Sequence, residues 1–217
     1  MSAIRIALPK GRLLAPLLDE FRAAGYDVPT EDDLASRRLL IERGDVEWIL
    51  VKDGDVPVYV EGGAADAGVA GLDQLLEQKP RVFEPLDFGF GRCRMMLIGA
   101  PGVRGLDLSQ PRRLATKYPR LSREWLERRG LRFEVLTLQG SVELAAVLRL
   151  TPYVIDLVET GGTVRAHGLE LIEVVEEISP RLIVNPNVYR SRPTVVRRLI
   201  RSLAGVSEVV SRSKEVS

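Results

Sequence analysis

The hydrophobic positions along the chain fall into short apolar runs that alternate with segments of helical periodicity. Residues 4–8 and 153–158 are apolar runs of the length and β-branched content expected of buried strands. Residues 13–24 repeat apolar positions at helical spacing, and residues 192–203 do so again before a polar, frayed tail at 207–217. Strands separated by helices predict βαβ units, largely parallel sheets and an α/β fold.

Two interruptions of this pattern predict domain boundaries. One is the segment Phe88-Gly89-Phe90-Gly91, and the other is Ser179-Pro180. If the chain crosses at both, residues 1–90 and 180–217 form one discontinuous domain, and residues 91–179 form an inserted one. We therefore expect two α/β domains around a cleft, which is a natural place for a small-molecule site.

Composition narrows the class of protein. The 217 residues are 45% hydrophobic, enough for a core, and 31 Lys+Arg against 30 Asp+Glu disfavour a nucleic-acid binder. No apolar stretch approaches the ~20 residues that span a bilayer, so we expect no membrane association. With one cysteine, Cys93, and no signal peptide, the chain is expected in the cytoplasm. With a single histidine, His167, beside the single cysteine, a structural zinc site is not expected.

The stretch with the strongest chemical signal is residues 156–163, here called the glycine-threonine loop. An apolar strand runs into Thr160-Gly161-Gly162-Thr163, and a helix-like segment follows. Glycines let backbone N–H groups converge on a phosphate, and threonine hydroxyls add donors. Asp156 and Glu159 repel a phosphate but suit the hydroxyls of a ribose, so the combination indicates a sugar phosphate. On pattern alone, an ordinary strand–turn–helix junction explains the glycines equally well.

A second candidate is Lys10-Gly11-Arg12, where the first strand ends in a turn that carries two cations. Such a turn would hold a polyphosphate. Taken alone, Lys10 and Arg12 are more simply read as solvated loop charges.

The glycine-threonine loop and an ordered set of further segments resemble the ATP phosphoribosyltransferase family, from about residue 4 to residue 203. The further segments are Leu8-Pro9-Lys10-Gly11-Arg12, Asp55-Val56-Pro57, Gly63-Ala64-Ala65-Asp66, Gly89-Phe90-Gly91, Ala115-Thr116-Lys117-Tyr118-Pro119, Gly140-Ser141-Val142-Glu143 and Arg181-Leu182-Ile183-Val184-Asn185. Any one of them is a weak signal, but the ordered set is specific.

The resemblance implies a fold like that of type II periplasmic binding proteins. It also implies a reaction, in which N1 of ATP joins C1 of phosphoribosyl pyrophosphate in the first step of histidine biosynthesis. Mg²⁺ is expected on the substrates. Because the sequence stops soon after the catalytic domains, it resembles the short form. That form implies a homodimer of catalytic subunits in a hetero-octamer with a regulatory subunit related to histidyl-tRNA synthetase.

The resemblance also implies roles for individual residues. Asp156 and Glu159 would face the ribose hydroxyls, and the donors of the loop would bind the 5-phosphate; these donors are Thr160, Gly161, Gly162 and Thr163. Lys10 would reach the pyrophosphate or the ATP phosphates. Arg37 would lie near the nucleotide, and Lys10, Arg37 and Lys52 are the candidate catalytic residues. Together with Arg12 and Arg94, these cations would line a positive cleft.

Some positions depart from the family pattern. Lys52 stands where arginine is usual, which keeps the charge but loses the planar fork. Arg149, Thr151 and Val164 are also atypical and flank the loop. His167 replaces a common asparagine and is interpreted as a loop or helix-end residue.

Two rival functions remain open at this stage. A non-catalytic binding protein with the same cleft would take one ligand and show no turnover. A phosphoribosyltransferase for another base is the second rival, although the acidic pair of the usual type I enzymes is not found.

Overall fold

The computed structural model describes residues 3–36, 38–107, 109 and 111–214, with side chains described as far as residue 206. The chain divides into two compact units. Unit 1 comprises Met1–Gly91 and Ser179–Ser217, and unit 2 comprises Arg92–Ile178.

The described elements of the first part of unit 1 are β1 (Ile4–Pro9), α1 (Leu14–Ala23), α2 (Glu31–Ala35), β2 (Leu40–Arg43), β3 (Val46–Val51), a 3-10 turn (Asp53–Asp55), α3 (Val56–Glu61), β4 (Ala67–Gly71), α4 (Leu72–Gln78) and β5 (Phe83–Asp87). Unit 2 contains β6 (Cys93–Gly99), β7 (Arg113–Thr116), α5 (Pro119–Arg128), β8 (Glu134–Thr137), α6 (Glu143–Val147), β9 (Tyr153–Val158), α7 (Gly162–Ala166) and β10 (Glu170–Ile178). The chain then returns to unit 1 with β11 (Pro180–Val184), α8 (Pro186–Ser191) and α9 (Pro193–Lys214).

The sheet of unit 1 has the strand order β2-β3-β1-β4-β11-β5. Strand β1 pairs in parallel with β3 and β4, whereas the other neighbours pair antiparallel. The carboxyl ends of β1, β3 and β4 therefore meet at one edge of the sheet. One face carries a core built around Trp48, which is packed edge-on against Phe21 of α1 at 5.0 Å between ring centroids.

Helix α9 covers the same core with an apolar stripe. Val196, Leu199 and Leu203 are buried in it at helical spacing. The stripe is thus part of the core of unit 1. The opposite face of the sheet packs against α3 through Val56 and Val60. Helices on both faces of a mixed sheet make unit 1 an α/β structure.

The sheet of unit 2 has the order β10-β6-β9-β7-β8. Strands β9, β7 and β8 run parallel, so their carboxyl ends share an edge. Strand β6 runs antiparallel to β9 and β10. Helix α5 buries Leu121, Trp125 and Leu126, and the guanidinium of Arg129 lies 4.0 Å from the Trp125 ring centroid.

The structure corrects several sequence-based expectations. The sheets are mixed and not largely parallel, because the chain adds antiparallel strands at β2, β5, β6, β10 and β11. The helix expected to end near residue 203 continues as α9 to Lys214, so a frayed tail beginning at residue 207 is wrong.

Strand β5 and helices α2 and α8 were not predicted from the sequence. Strand β5 contains Pro85 and leaves Phe83 exposed, as suits an edge strand. Helix α2 buries no residue, so it has no apolar periodicity to detect.

Candidate active site

The glycine-threonine loop leaves the carboxyl end of β9 and turns into α7. Gly161 makes the turn, with φ of +71° and ψ of +15° in the left-handed region, where glycine avoids the strain that a Cβ brings. Residues 157–164 line an open concavity of about 340 Å³. Glu159, Thr160, Gly162 and Thr163 are exposed.

The two threonine hydroxyls of the loop have no protein hydrogen-bond partner within the part of the chain that the structure describes. Thr163 engages its neighbours through its backbone, because its carbonyl lies 2.9 Å from Nδ1 of the exposed His167. His167 is the C-cap residue that directly follows α7, in agreement with its interpretation as a loop or helix-end residue. The hydroxyls of Thr160 and Thr163 are thus available to a ligand in the concavity.

Two cations lie at the same edge of the unit 2 sheet. Arg94, exposed near the start of β6, pairs in register with Val158, the last residue of β9. Lys117 directly follows β7, whose final residue Thr116 is in register with Ile155. Because β7 and β9 are parallel, Lys117 continues the register toward Asp156.

Asp156 occupies a less polar position than a surface carboxylate. Burial raises the pKa of its carboxyl above the ordinary value, and the negative charge of Glu143 raises it further. The backbone N–H of Leu157 donates to Oδ1 at 2.8 Å and opposes that rise, as does the positive charge of Lys117. A partly buried carboxylate of this kind suits a hydrogen bond from a ligand hydroxyl.

Unit 1 gathers a second set of cations at the carboxyl edge of its own sheet. Pro9 and Val51, the last residues of β1 and β3, are in register, and the N–H of Lys10 donates to the Val51 carbonyl at 2.8 Å. Lys10 and Lys52 therefore follow adjacent parallel strands. Arg12 is exposed on the turn beyond Gly11, whose φ is +106°. Carboxyl ends of parallel strands are where open α/β sheets bind ligands.

The predicted site residues thus fall into two groups. Lys10, Arg12 and Lys52 lie together in unit 1, whereas Arg94 and the glycine-threonine loop lie together in unit 2. Arg37 lies outside the described residues.

Sequence reasoning missed three charged residues near the loop. Lys117 and Glu143 act electrostatically on Asp156. Nη1 of Arg165 lies 3.2 Å from the point that a Cβ on Gly161 would occupy. Lys117 and Glu143 lie in segments that carried the family resemblance, which is the signal that would have found them.

The residues of the described part of the chain do not assemble a metal site. No group of three or more His, Cys, Asp or Glu side chains within it is arranged to hold an ion. Cys93 is buried in β6. In the same described part, no helix has the length and apolar character needed to cross a membrane.

The fold is similar to that of a binding protein of known structure. The periplasmic aliphatic sulphonate binding protein SsuA from Escherichia coli has a TM-score of 0.63, with 10% identity, over 99% of this chain and 76% of that chain. At that identity the likeness shows the fold alone. It confirms the predicted fold class, so the molecule is an α/β protein of the periplasmic-binding-protein type.

Comparison with known sequences and structures identifies the family within that class. The family model for ATP phosphoribosyltransferase matches residues 52–205. The ATP phosphoribosyltransferase of Sorangium cellulosum is 42% identical over 92% of this chain and 94% of its own length. That of Caldanaerobacter subterraneus is 41% identical over 95% and 98%. A chain of the ATP phosphoribosyl transferase (HisG:HisZ) complex from Thermotoga maritima has a TM-score of 0.80 and 31% identity, over 94% of this chain and 98% of that one.

The chain therefore belongs to the ATP phosphoribosyltransferase family, pentosyltransferases of the first step of histidine biosynthesis. The family expected from the sequence is confirmed, and a non-catalytic binding protein and a transferase for another base are disfavoured.

Proposed function

We propose that the glycine-threonine loop binds the 5-phosphate of phosphoribosyl pyrophosphate. The observation that carries this proposal is the concavity along residues 157–164, in which the hydroxyls of Thr160 and Thr163 are available and Gly161 turns the backbone. Gly162 leaves the approach to the backbone open. Asp156 and Glu159 accept hydrogen bonds from the ribose hydroxyls, and Arg94 contributes positive charge at the same sheet edge.

The cations of unit 1 bind the other phosphates of the two substrates. Lys10 and Lys52 are supported by their positions after register-matched parallel strands. Arg12 lies on the same turn as Lys10. Arg37 completes the proposed set on the basis of the family resemblance alone.

The reaction forms one bond and breaks another at the same carbon. The lone pair of adenine N1 forms a bond to C1 of the ribose, and the electrons of the C1–O bond leave with pyrophosphate. N1 needs no deprotonation before it attacks, so a strong general base is not required. Orientation of the two substrates supplies up to about 7–11 kcal/mol, and cations stabilise the departing charge.

Phosphoribosyltransferases generally depend on a metal ion, and we propose Mg²⁺ for this one. The described residues lack a carboxylate cluster suited to an ion, so Mg²⁺ would be held mainly by the substrate phosphates. Carried there, it would neutralise charge on the leaving pyrophosphate.

The proposed setting is a cytoplasmic enzyme that works with a regulatory subunit. Both substrates are intracellular metabolites, which supports the location. Similarity to a chain of the HisG:HisZ complex from Thermotoga maritima supports the partnership. The family's short form implies a homodimer of catalytic subunits within a hetero-octamer. We also propose that the two units are independent domains, one discontinuous and carrying Lys10, the other inserted and carrying the loop.

Initial-rate assays test the function. The protein is mixed with ATP, phosphoribosyl pyrophosphate, Mg²⁺ and pyrophosphatase, with and without the regulatory subunit, and phosphoribosyl-ATP is followed by ultraviolet absorbance. The proposal expects product that depends on both substrates. Absence of product with the regulatory subunit present contradicts it.

A further inference from the structure

Two glutamines of α4, Gln74 and Gln78, contact the turn that follows β3. Nε2 of Gln78 donates to the carbonyl oxygen of Gly54 at 2.7 Å, and the same nitrogen lies 3.2 Å from Oε1 of Gln74. Gly54 is the middle residue of the 3-10 turn Asp53–Asp55, which begins directly after Lys52. The side chain of Gln78 thus fastens the turn that carries Lys52.

The glutamine pair fits closely beneath this turn. A Cβ added to Gly54 would lie 3.3 Å from Oε1 of Gln74, so the backbone of the turn packs against the amide. Gln74 is only 6% exposed, unusual for a glutamine, and its Nε2 donates to Oδ2 of Asp73 at 2.8 Å. Buried amides are costly unless they are hydrogen-bonded, and here both glutamines are bonded to protein acceptors.

The contacts extend to a second strand end at the same edge. Oδ1 of Asp73 occupies the space that a Cβ on Gly71 would need, so this carboxyl closes over the last residue of β4. A chain of side-chain contacts therefore connects the end of β4, through Asp73, Gln74 and Gln78, to the turn after β3. Asp73, Gln74 and Gln78 are polar although they lie in or beside the core. Their hydrogen bonds fix the geometry of the turn after β3, which apolar side chains could not do.

Lys52 depends on this turn for its direction. Its backbone is extended, with φ of −66° and ψ of 151°, and its carbonyl accepts from the N–H of Asp55 at 3.0 Å. Lysine carries its ammonium group on a flexible four-carbon stem, so only its backbone base is fixed by the protein. A displacement of the turn would move the base of this stem relative to Lys10, which follows the adjacent parallel strand.

We infer that Gln78 is a positioning residue for the transfer reaction, acting through Gly54 to hold Lys52 toward the substrate phosphates. The inference rests on the role of Lys52 given under the proposed function. Gln78 itself touches no reacting atom.

The test is a double-mutant cycle of Gln78→Met and Lys52→Met. Methionine matches the length and helix propensity of glutamine but cannot donate to Gly54. Loss of one positioning hydrogen bond should lower kcat/KM about fivefold in the parent protein. In the Lys52→Met background the same replacement should change kcat/KM by less than about twofold, because the group it positions is already absent. Gln78→Met should lower the melting temperature equally in the parent and in the Lys52→Met protein. A loss of stability therefore cannot explain a difference in kcat/KM between the two.

Glu77→Gln, at the preceding position of the same helix, is the matched control and should leave kcat/KM unchanged. Equal losses from Gln78→Met in both backgrounds, or no loss in the parent, would overturn the inference. A Lys52→Met protein with parental kcat/KM would also overturn the inference. In that case, product formation by the parent protein would still support the proposed function. A parent that forms no product even with the regulatory subunit would remove the proposed function, and the inference with it.

Discussion

Two adjacent glycines of the loop are expected to have different roles. Gly161 is needed for the backbone conformation of the fold, and Gly162 is needed for the approach of the ligand. Gly161 has φ of +71°, and Gly162 does not have a positive φ. Alanine at position 161 must adopt a left-handed conformation, which costs about 1–2 kcal/mol. For a chain of this size, that corresponds to a fall of about 2–8 °C in melting temperature. The tip of Arg165, 3.2 Å from the new Cβ, can move aside at little further cost.

Alanine at position 162 is expected to preserve the stability of the fold and to weaken ligand binding. Its Cβ would lie 3.7 Å from Oγ1 of Thr160, an ordinary contact. Alanine also has less backbone freedom to lose on folding than glycine, which stabilises a protein by about 0.4–1 kcal/mol at a compatible position. The melting temperature should therefore hold or rise. The same methyl group lies on the exposed side of the loop and would obstruct a bound phosphate, so affinity for phosphoribosyl pyrophosphate should fall at least about tenfold.

Thermal unfolding and isothermal titration calorimetry on the two variants check this pair of expectations. A Gly162→Ala protein that binds phosphoribosyl pyrophosphate within twofold of the parent would refute the assignment of this face of the loop. An unchanged melting temperature for Gly161→Ala would refute the reasoning from backbone strain.

Further variants and conditions probe the remaining roles. Asp156→Asn should raise the melting temperature at pH 7 yet weaken substrate binding. Because the folded-state pKa of Asp156 is raised, its ionisation lowers the stability of the parent protein as pH rises through that pKa. The gain in melting temperature from Asp156→Asn should therefore shrink toward pH 4. A pH series of melting curves tests the gain and calorimetry tests the binding, and a gain that is independent of pH would contradict this expectation. Lys10→Met should raise KM for a phosphate-bearing substrate, more at low ionic strength than at high, whereas a salt-independent effect would contradict a charge interaction. EDTA should abolish turnover, with recovery on adding Mg²⁺, and leave the melting temperature unchanged; a destabilised protein would instead indicate a metal held by the fold.

Local sequence pattern was sufficient for elements whose apolar positions repeat. Helix α3 is an example: Val56 and Val60 are spaced to share one face, and Pro57 suits the first turn of a helix. Strand β5 could not be found in this way. Its Pro85 and exposed Phe83 break any alternation, and the strand is defined only by pairing with β11, which lies far along the chain beyond the whole of unit 2.

The candidate site shows the same division between local and long-range information. The loop could be predicted from the sequence because its glycines and threonines form a short local pattern. By local pattern alone, Lys117 resembles any surface charge, because it is one lysine after a short strand. Its electrostatic effect on Asp156 depends on the pairing of β7 with β9, which local pattern does not specify. The roles given to Lys10, Lys52, Arg94 and the loop stay predictions.

Binding of the phosphoribosyl group by the glycine-threonine loop can be measured as affinity for phosphoribosyl pyrophosphate. The most direct test is calorimetric titration of phosphoribosyl pyrophosphate with Mg²⁺ into the parent protein, Thr163→Val and the control Thr194→Val in α9. Valine replaces the hydroxyl by a methyl group, and loss of a hydrogen bond to a charged phosphate costs about 1.5–3 kcal/mol, or roughly 10- to 150-fold in Kd. We expect that weakening for Thr163→Val and parental affinity for Thr194→Val. Equal affinity in all three proteins would contradict it.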